Sequence, residues 1–166
     1  MSIRLLITGG TIDKAYNLHN GELHFVVDTH IPDILAEGRC RADIAIETLL
    51  LKDSLEMTDG DRERIADACL RSSESRLLIT HGTDTLTETA EFLQARVNGK
   101  TIVLVGAMVP WVFRNSDAAF NLGAAVSAVQ CLPQGVHVAM NGRIFAAGAV
   151  RKNRDEGVFE PISVSD

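Results

Sequence analysis

The chain has 166 residues, 46% of them hydrophobic, and a formal net charge of −6: enough apolar material for one core, and too little length for two full-sized domains. The acidic balance excludes the clustered Lys and Arg that a nucleic-acid partner requires, and no apolar run reaches the length of a membrane span. Three scattered cysteines, Cys40, Cys69 and Cys131, form neither a disulfide framework nor a CxxC metal site and read as buried thiols of a reducing compartment.

Met1-Ser2-Ile3-Arg4 leads straight into a strand, so no signal or transit peptide is expected, and a single cytoplasmic domain over residues 1–166 is the working expectation. Leu5-Leu6-Ile7-Thr8 has the continuous apolar character of a strand buried on both faces, and it stops at Gly9-Gly10-Thr11. Residues 12–26 are polar or turn-forming and predict a long loop or a small exposed hairpin with a turn at Asn20-Gly21, a segment suited to a mobile flap. A short helix over 31–37 begins near Pro32. Ala42–Leu51 predicts a strand ending at Lys52-Asp53-Ser54.

Thr58 and Asp61 have capping-box spacing for a helix whose apolar face is Ile65, Ala68 and Cys69. Residues 76–80 form the next strand and Asp84–Gln94 the next helix, with Thr85 and Glu88 again at capping-box spacing. Thr101–Val105 is a strand closed by Gly106-Ala107-Met108. Ser116 starts a helix with Leu122, Val126 and Val129 on one side. The chain then runs from a strand at 136–140 through a two-residue turn at Asn141-Gly142 into a strand over Arg143–Val150. Strands alternating with helices predict an α/β fold with a doubly wound, mostly parallel sheet and a C-terminal β-hairpin.

Leu5-Leu6-Ile7-Thr8-Gly9-Gly10-Thr11 recurs as Leu77-Leu78-Ile79-Thr80-His81-Gly82-Thr83, with Gly9 replaced by His81. Each copy aims a threonine from the end of a strand, and in an open parallel sheet the crevice outside the carboxyl ends of the strands binds ligands. Thr11 and Thr83 are therefore expected to face one another across it. Backbone N–H groups of the Gly10-Thr11 and Gly82-Thr83 turns are candidate oxyanion donors. The helix that starts just past Thr83 offers unpaired amides to an anionic group, and Asp84 offers a carboxylate to an ammonium.

A threonine nucleophile needs a base. Beyond the second repeat there are two lysines: Lys100 precedes a strand and lies on the wrong edge of the sheet, leaving Lys152 as the candidate that reaches Thr83. The other reading of Lys152 is a solvated charge among Arg151 and Arg154. Tyr16 is either a surface aromatic or a phenol that exchanges a proton with Thr11. His81 is placed for a supporting role as readily as a catalytic one. There is no HExxH, GxSxG or GxxxxGK[ST] pattern, and Gly9-Gly10 lacks the third glycine of a dinucleotide fingerprint, so neither metal nor nucleotide cofactor is expected.

Ile7-Thr8-Gly9-Gly10-Thr11-Ile12 together with Thr80-His81-Gly82-Thr83-Asp84-Thr85 resembles the bacterial-type L-asparaginase family, and Asp53-Ser54-Leu55-Glu56-Met57, Val105-Gly106-Ala107-Met108 with Asn121-Leu122, and Val150-Arg151-Lys152 are similar to further family segments in the same order. The resemblance implies cofactor-free hydrolysis of the side-chain amide of asparagine, possibly also of glutamine, to the acid and ammonia. It implies Thr11 as the mobile-loop nucleophile with Tyr16 as its loop partner. It also implies Thr83, Asp84 and Lys152 as a second group in which lysine activates threonine, and Ser54 with Asp84, beside Asp53, as the grip on the amino-acid end of the substrate. Three departures stand out. Leu55 replaces a usual glutamine and Val109 a common arginine. The family's second domain, which reaches a neighbouring subunit's site, has no counterpart before Asp166. A short single-domain form, weakened substrate binding and a homo-oligomer in which another copy supplies part of the wall are the resulting expectations.

Overall fold

The computed structural model describes residues 2–162. β1 (Ser2–Gly9), β4 (Asp43–Lys52), β5 (Arg76–Thr80), β6 (Thr101–Val105), β7 (Gly135–Met140) and β8 (Arg143–Ala146) form one six-stranded sheet in the order β4-β1-β5-β6-β7-β8. All neighbours are parallel except β7 and β8, which are antiparallel. The doubly wound α/β sheet is thus as expected, and β1 lies between β4 and β5, where the strand order reverses direction.

β1 is buried on both sides because successive side chains alternate faces. Leu6 packs with α2 (Asp59–Arg71) and α3 (Leu86–Arg96), while Leu5 and Ile7 pack with α1 (Ile31–Glu37) and α4 (Ala118–Cys131). The hands of the crossovers follow from these faces. The connections through α1, α2 and α3 share one hand, whereas β6-α4-β7 moves the chain in the same direction as β5-α3-β6 with its helix on the opposite face. About 98% of such crossovers are right-handed; the one through α4 has the opposite hand to the other three.

Local chemistry explains most element boundaries. Thr58 and Asp61 form the expected capping box, with Asp61 N–H on Thr58 Oγ1 at 3.2 Å and Thr58 N–H on Asp61 Oδ2 at 2.8 Å. Lys52 adds an ion pair to Asp61 at 2.7 Å, and the lysine together with these amides holds the Asp61 carboxyl at about 2. Asn141 and Gly142, at φ 54° and 72°, make the expected two-residue turn between β7 and β8. The exposed hairpin in residues 12–26 pairs β2 (Lys14–Tyr16) with β3 (Leu23–Phe25), with Tyr16 opposite Leu23.

Three expectations are corrected. α3 starts at Leu86 without a side-chain cap: Thr85 Oγ1 donates instead to Ser54 O at 2.8 Å, and Glu88 accepts from Arg62 at 3.1 Å. α4 starts at Ala118, two residues past Ser116, whose hydroxyl donates to Val109 O at 2.8 Å and accepts from Ala118 N–H at 3.0 Å. The single strand expected over Arg143–Val150 is two: the chain turns at Gly148, φ 77°, and β9 (Val150–Asn153) leaves the sheet to pair with β10 (Val158–Pro161). Phe159, opposite Lys152 in that ladder, is buried in the α2/α3-side core. Among the described residues no helix is long and apolar enough to cross a membrane.

Candidate active site

The two repeated corners back directly onto each other. A Cβ on Gly10 would lie 2.4 Å from Gly82 N, and one on Gly82 would lie 2.5 Å from Ser54 Oγ, so the ends of β1, β5 and β4 meet with room for no side chain between them. Gly9 and Gly10 both have positive φ, 97° and 87°, which only glycine adopts freely. The difference between the repeats has the same cause. Gly9 sits against Lys52 at the irregular end of the β1–β4 ladder, whereas its counterpart His81 continues the sheet, donating its N–H to Val105 O at 2.9 Å.

Thr83 is buried at the end of β5. Lys152 crosses from β9 with Nζ 2.8 Å from Thr83 Oγ1 and 3.0 Å from Asp84 Oδ1. The lysine side chain is 12% exposed, so it is no solvated surface charge. Lys100 is spent at the other end of the strands, donating to Ser72 O and Glu74 O at 2.7 and 2.8 Å. A Cβ on Gly106 would come within 2.5 Å of His81 O and 3.1 Å of Thr83 Cγ2, so the end of β6 backs the threonine.

A buried chain of hydrogen bonds sets the orientation of the Gly82-Thr83 peptide. His81 Nδ1 lies 2.8 Å from Gly82 O, an acceptor only, so Nδ1 carries the proton. Nε2 then accepts from Thr89 Oγ1 at 2.8 Å, and Thr89 Oγ1 accepts from Arg62 Nε at 3.2 Å. Burial above all, with the Arg62 charge adding to it, pushes the His81 pKa down to about 4 against the opposing hydrogen bond to Gly82, and the imidazole is neutral near pH 7. Holding the Gly82 carbonyl towards His81 turns the Thr83 N–H the opposite way, since the two ends of a trans peptide point apart.

Ser54, 2% exposed, sits one residue past Asp53, whose Oδ1 accepts from Leu55 N–H at 3.0 Å. Asp53 Oδ2 takes Lys14 at the base of β2 at 2.5 Å. That hydrogen bond is the main reason the Asp53 carboxyl lies below its ordinary range, with Leu55 N–H and the Lys14 and Lys152 charges also contributing against burial. Leu55 is 66% exposed at the rim. Asp13, following Thr11 and Ile12, is fully buried and accepts from Thr29 Oγ1 at 2.9 Å and His30 N–H at 2.8 Å. Burial raises its pKa against those hydrogen bonds and the His30 charge.

Sequence reasoning placed Thr83, Asp84 and Lys152 together, and the structure brings them together. It also brings the Gly10 and Gly82 corners and Ser54 into contact. Tyr16 is not brought to Thr11: it is 48% exposed, its phenol lies 3.4 Å from where a Gly21 Cβ would sit, and no hydrogen bond joins it to Thr11 among the described residues. Three participants went unnoticed. Lys14 tethers the flap to Asp53; Arg62 anchors the histidine chain; and Arg154 Nη1 donates to Asp84 Oδ1 at 2.8 Å. Lys14 and Arg154 read as ordinary solvated charges, and nothing local marks Arg62 as buried.

Residues 2–159 match the family model described as "Asparaginase, N-terminal". The chain belongs to the asparaginase family. A relative from Haemophilus influenzae, named probable L-asparaginase periplasmic, is 35% identical over 95% of this chain and 48% of its own length. One of the subunits of glutamyl-tRNA(Gln) amidotransferase from Methanococcus maripaludis is 33% identical over 85% of this chain and 35% of its own length. The structure of the thermostable L-asparaginase from Thermococcus kodakarensis superposes with a TM-score of 0.86 at 30% identity, covering 100% of this chain and 52% of that one. The present asparaginase-family chain therefore spans a third to a half of these relatives.

Proposed function

We propose that this chain is an L-asparagine amidohydrolase, releasing ammonia from the side-chain amide through threonine hydroxyls, with glutamine as a slower substrate. The carrying observation is the 2.8 Å contact between Lys152 Nζ and Thr83 Oγ1, one residue past the Gly82 corner on which Gly10 packs. In its neutral form the amine takes the hydroxyl proton as the threonine oxygen bonds to the amide carbon. The C–N bond then breaks, the proton leaves with ammonia, and water cleaves the ester to restore the hydroxyl and free the acid. Thr83 is the hydroxyl with a base at hand, and Thr11 supplies the second from the foot of the flap. The Thr83 N–H, aimed by the His81 chain, and that of Thr11 receive the developing oxyanion. Asp84 positions Lys152, Ser54 holds the substrate carboxylate, Asp53 ties the flap in place, and Tyr16 joins Thr11 when the flap closes.

Ammonia release from asparagine by the purified chain tests this reading, with Thr11→Ala, Thr83→Val and Lys152→Met as controls. Each should lower kcat by at least about a hundredfold; equal release by wild type and all three variants would end it. The amidotransferase relative favours a second reading, an ammonia-supplying component of a larger complex, for which ammonia release would depend on an added partner chain. Free Cys40, Cys69 and Cys131 support a reducing, cytoplasmic setting, although the Haemophilus relative is named periplasmic. A homo-oligomer in which another copy supplies part of the wall of the site follows from the same reading, and sedimentation gives its size.

A further inference from the structure

We infer that Asn121 and Asn141 are positioning residues that set the approach of Lys152 Nζ to Thr83 Oγ1, by holding the β9–β10 hairpin and the end of β6 to one fixed reference. This rests on the amidohydrolase reading for its effect on turnover, and on hydrogen-bond geometry alone for its effect on Lys152. The hairpin needs such a tie. β9 and β10 pair with each other, and among the described residues neither makes a backbone hydrogen bond to the six-stranded sheet. Val150 and Phe159 join the apolar core, but apolar burial is non-directional and does not by itself fix an amine to a fraction of an ångström. Apart from the turn at 146–149 that leads into the hairpin, and from what Lys152 and Arg154 give to Thr83 and Asp84, one hydrogen bond joins it to the rest of the described fold. Phe159 N–H donates to Asn141 Oδ1 at 2.8 Å, and Phe159 is the ladder partner of Lys152.

The other end of the tie is buried. Asn141 N–H donates to Asn121 Oδ1 at 3.2 Å, while Asn121 Nδ2 donates to Gly106 O at 3.1 Å and to Asp117 Oδ2 at 2.8 Å. A carbonyl can only accept and a backbone N–H can only donate, so these partners allow the Asn121 amide one orientation. The residue is 1% exposed, and its two amide hydrogens and its oxygen are all in use. Gly106 lies against the Thr83 methyl. The wall behind Thr83 and the strand that carries Lys152 are therefore both referred to Asn121, the first directly and the second through Asn141.

Removing Asn121 would strand Gly106 O and Asn141 N–H inside the fold, so the test is made at Asn141. Its φ is 54°, a conformation that glycine adopts freely and aspartate tolerates. Asn141→Gly thus deletes the acceptor without straining the turn, and Asn141→Asp keeps it. A displacement of about 1 Å between reacting groups costs up to about a hundredfold, so Asn141→Gly should lower kcat for asparagine by about ten- to a hundredfold while KM stays within about twofold. Asn141→Asp should recover most of that kcat. Brief acetylation with acetic anhydride, mapped by peptide mass, reads Lys152 without turnover. Its labelling relative to Lys100, at the other end of the strands, should rise several-fold in Asn141→Gly and fall back in Asn141→Asp. An undiminished kcat or unchanged Lys152 labelling in Asn141→Gly overturns the inference and leaves the hydrolase reading standing, as does an Asn141→Asp variant impaired as far as Asn141→Gly. No ammonia from wild type, with Lys152 labelling raised in Asn141→Gly and restored in Asn141→Asp, does the reverse.

Discussion

His81 makes the fold acid-sensitive in a window that other groups leave nearly empty. Its ordinary value is 6.5 and its native value about 4, so between those limits the unfolded chain binds a proton that the native chain refuses. Stability then rises with pH across the window and is lost on acidification. At about 1.4 kcal/mol per pH unit the complete loss is about 3 kcal/mol, and about 2 kcal/mol of it falls between pH 7 and pH 5. Asp61 and Glu74, held near 2 by their hydrogen bonds and ion pairs, lose their contributions only as the pH falls through and below the ordinary carboxylate range. Asp13 works in the opposite sense, since its buried carboxyl is relieved by protonation.

The assay is urea unfolding followed by far-UV circular dichroism at pH 7 and pH 5, in wild type and His81→Gln. Wild type should lose about 2 kcal/mol between the two. The glutamine variant should start about 1–3 kcal/mol less stable, having broken the chain to Thr89, and lose much less on acidification. Equal wild-type stability at both pH values, or an undiminished slope in His81→Gln, would refute the assignment of a neutral, desolvated imidazole.

Gly10→Ala forces a Cβ to 2.4 Å from Gly82 N at φ 87° and should cost about 3 kcal/mol or more, read from the urea midpoint. Lys14→Ala removes the ion pair that ties β2 to Asp53; protease cleavage within 17–22 should accelerate several-fold while global stability changes by no more than about 1 kcal/mol, as suits a partly exposed pair. Phe159→Ala should cost about 3–5 kcal/mol and also lower ammonia release, because Phe159 is the ladder partner of Lys152; a variant destabilised but fully active would show that the lysine is placed by something else.

Much of the site was legible because it is local. The strand ends at the repeated glycines, the Thr58–Asp61 cap and the Asn141-Gly142 turn are each fixed by residues within a few positions, and these lie where expected. Lys152 was found by elimination among lysines and by family resemblance. What escaped depends on distant partners. Thr85 looked like a helix cap, but the Ser54 carbonyl, 31 residues away, takes its hydroxyl. Glu88 had the spacing of a capping glutamate and is drawn to Arg62 instead. β10 could not be read because its pairing with β9 depends on Gly148 turning the chain out of the sheet. Arg154 is indistinguishable in sequence from its basic neighbours until the hairpin folds back over Asp84.

The reversed sense of the β6-α4-β7 connection has a consequence for where the Lys152 amine can be housed. Had α4 wound the common way, it would lie beside α3, over β6 and β7. That berth is instead filled by Val150 and Phe159, which share a core with Leu86, Leu93, Val138 and Met140. Sending α4 to the α1 side vacates the space next to Thr83, and the chain's last hairpin moves in with Lys152 at its edge. An uncommon topological choice made earlier in the chain thereby reserves a seat for Lys152 beside Thr83.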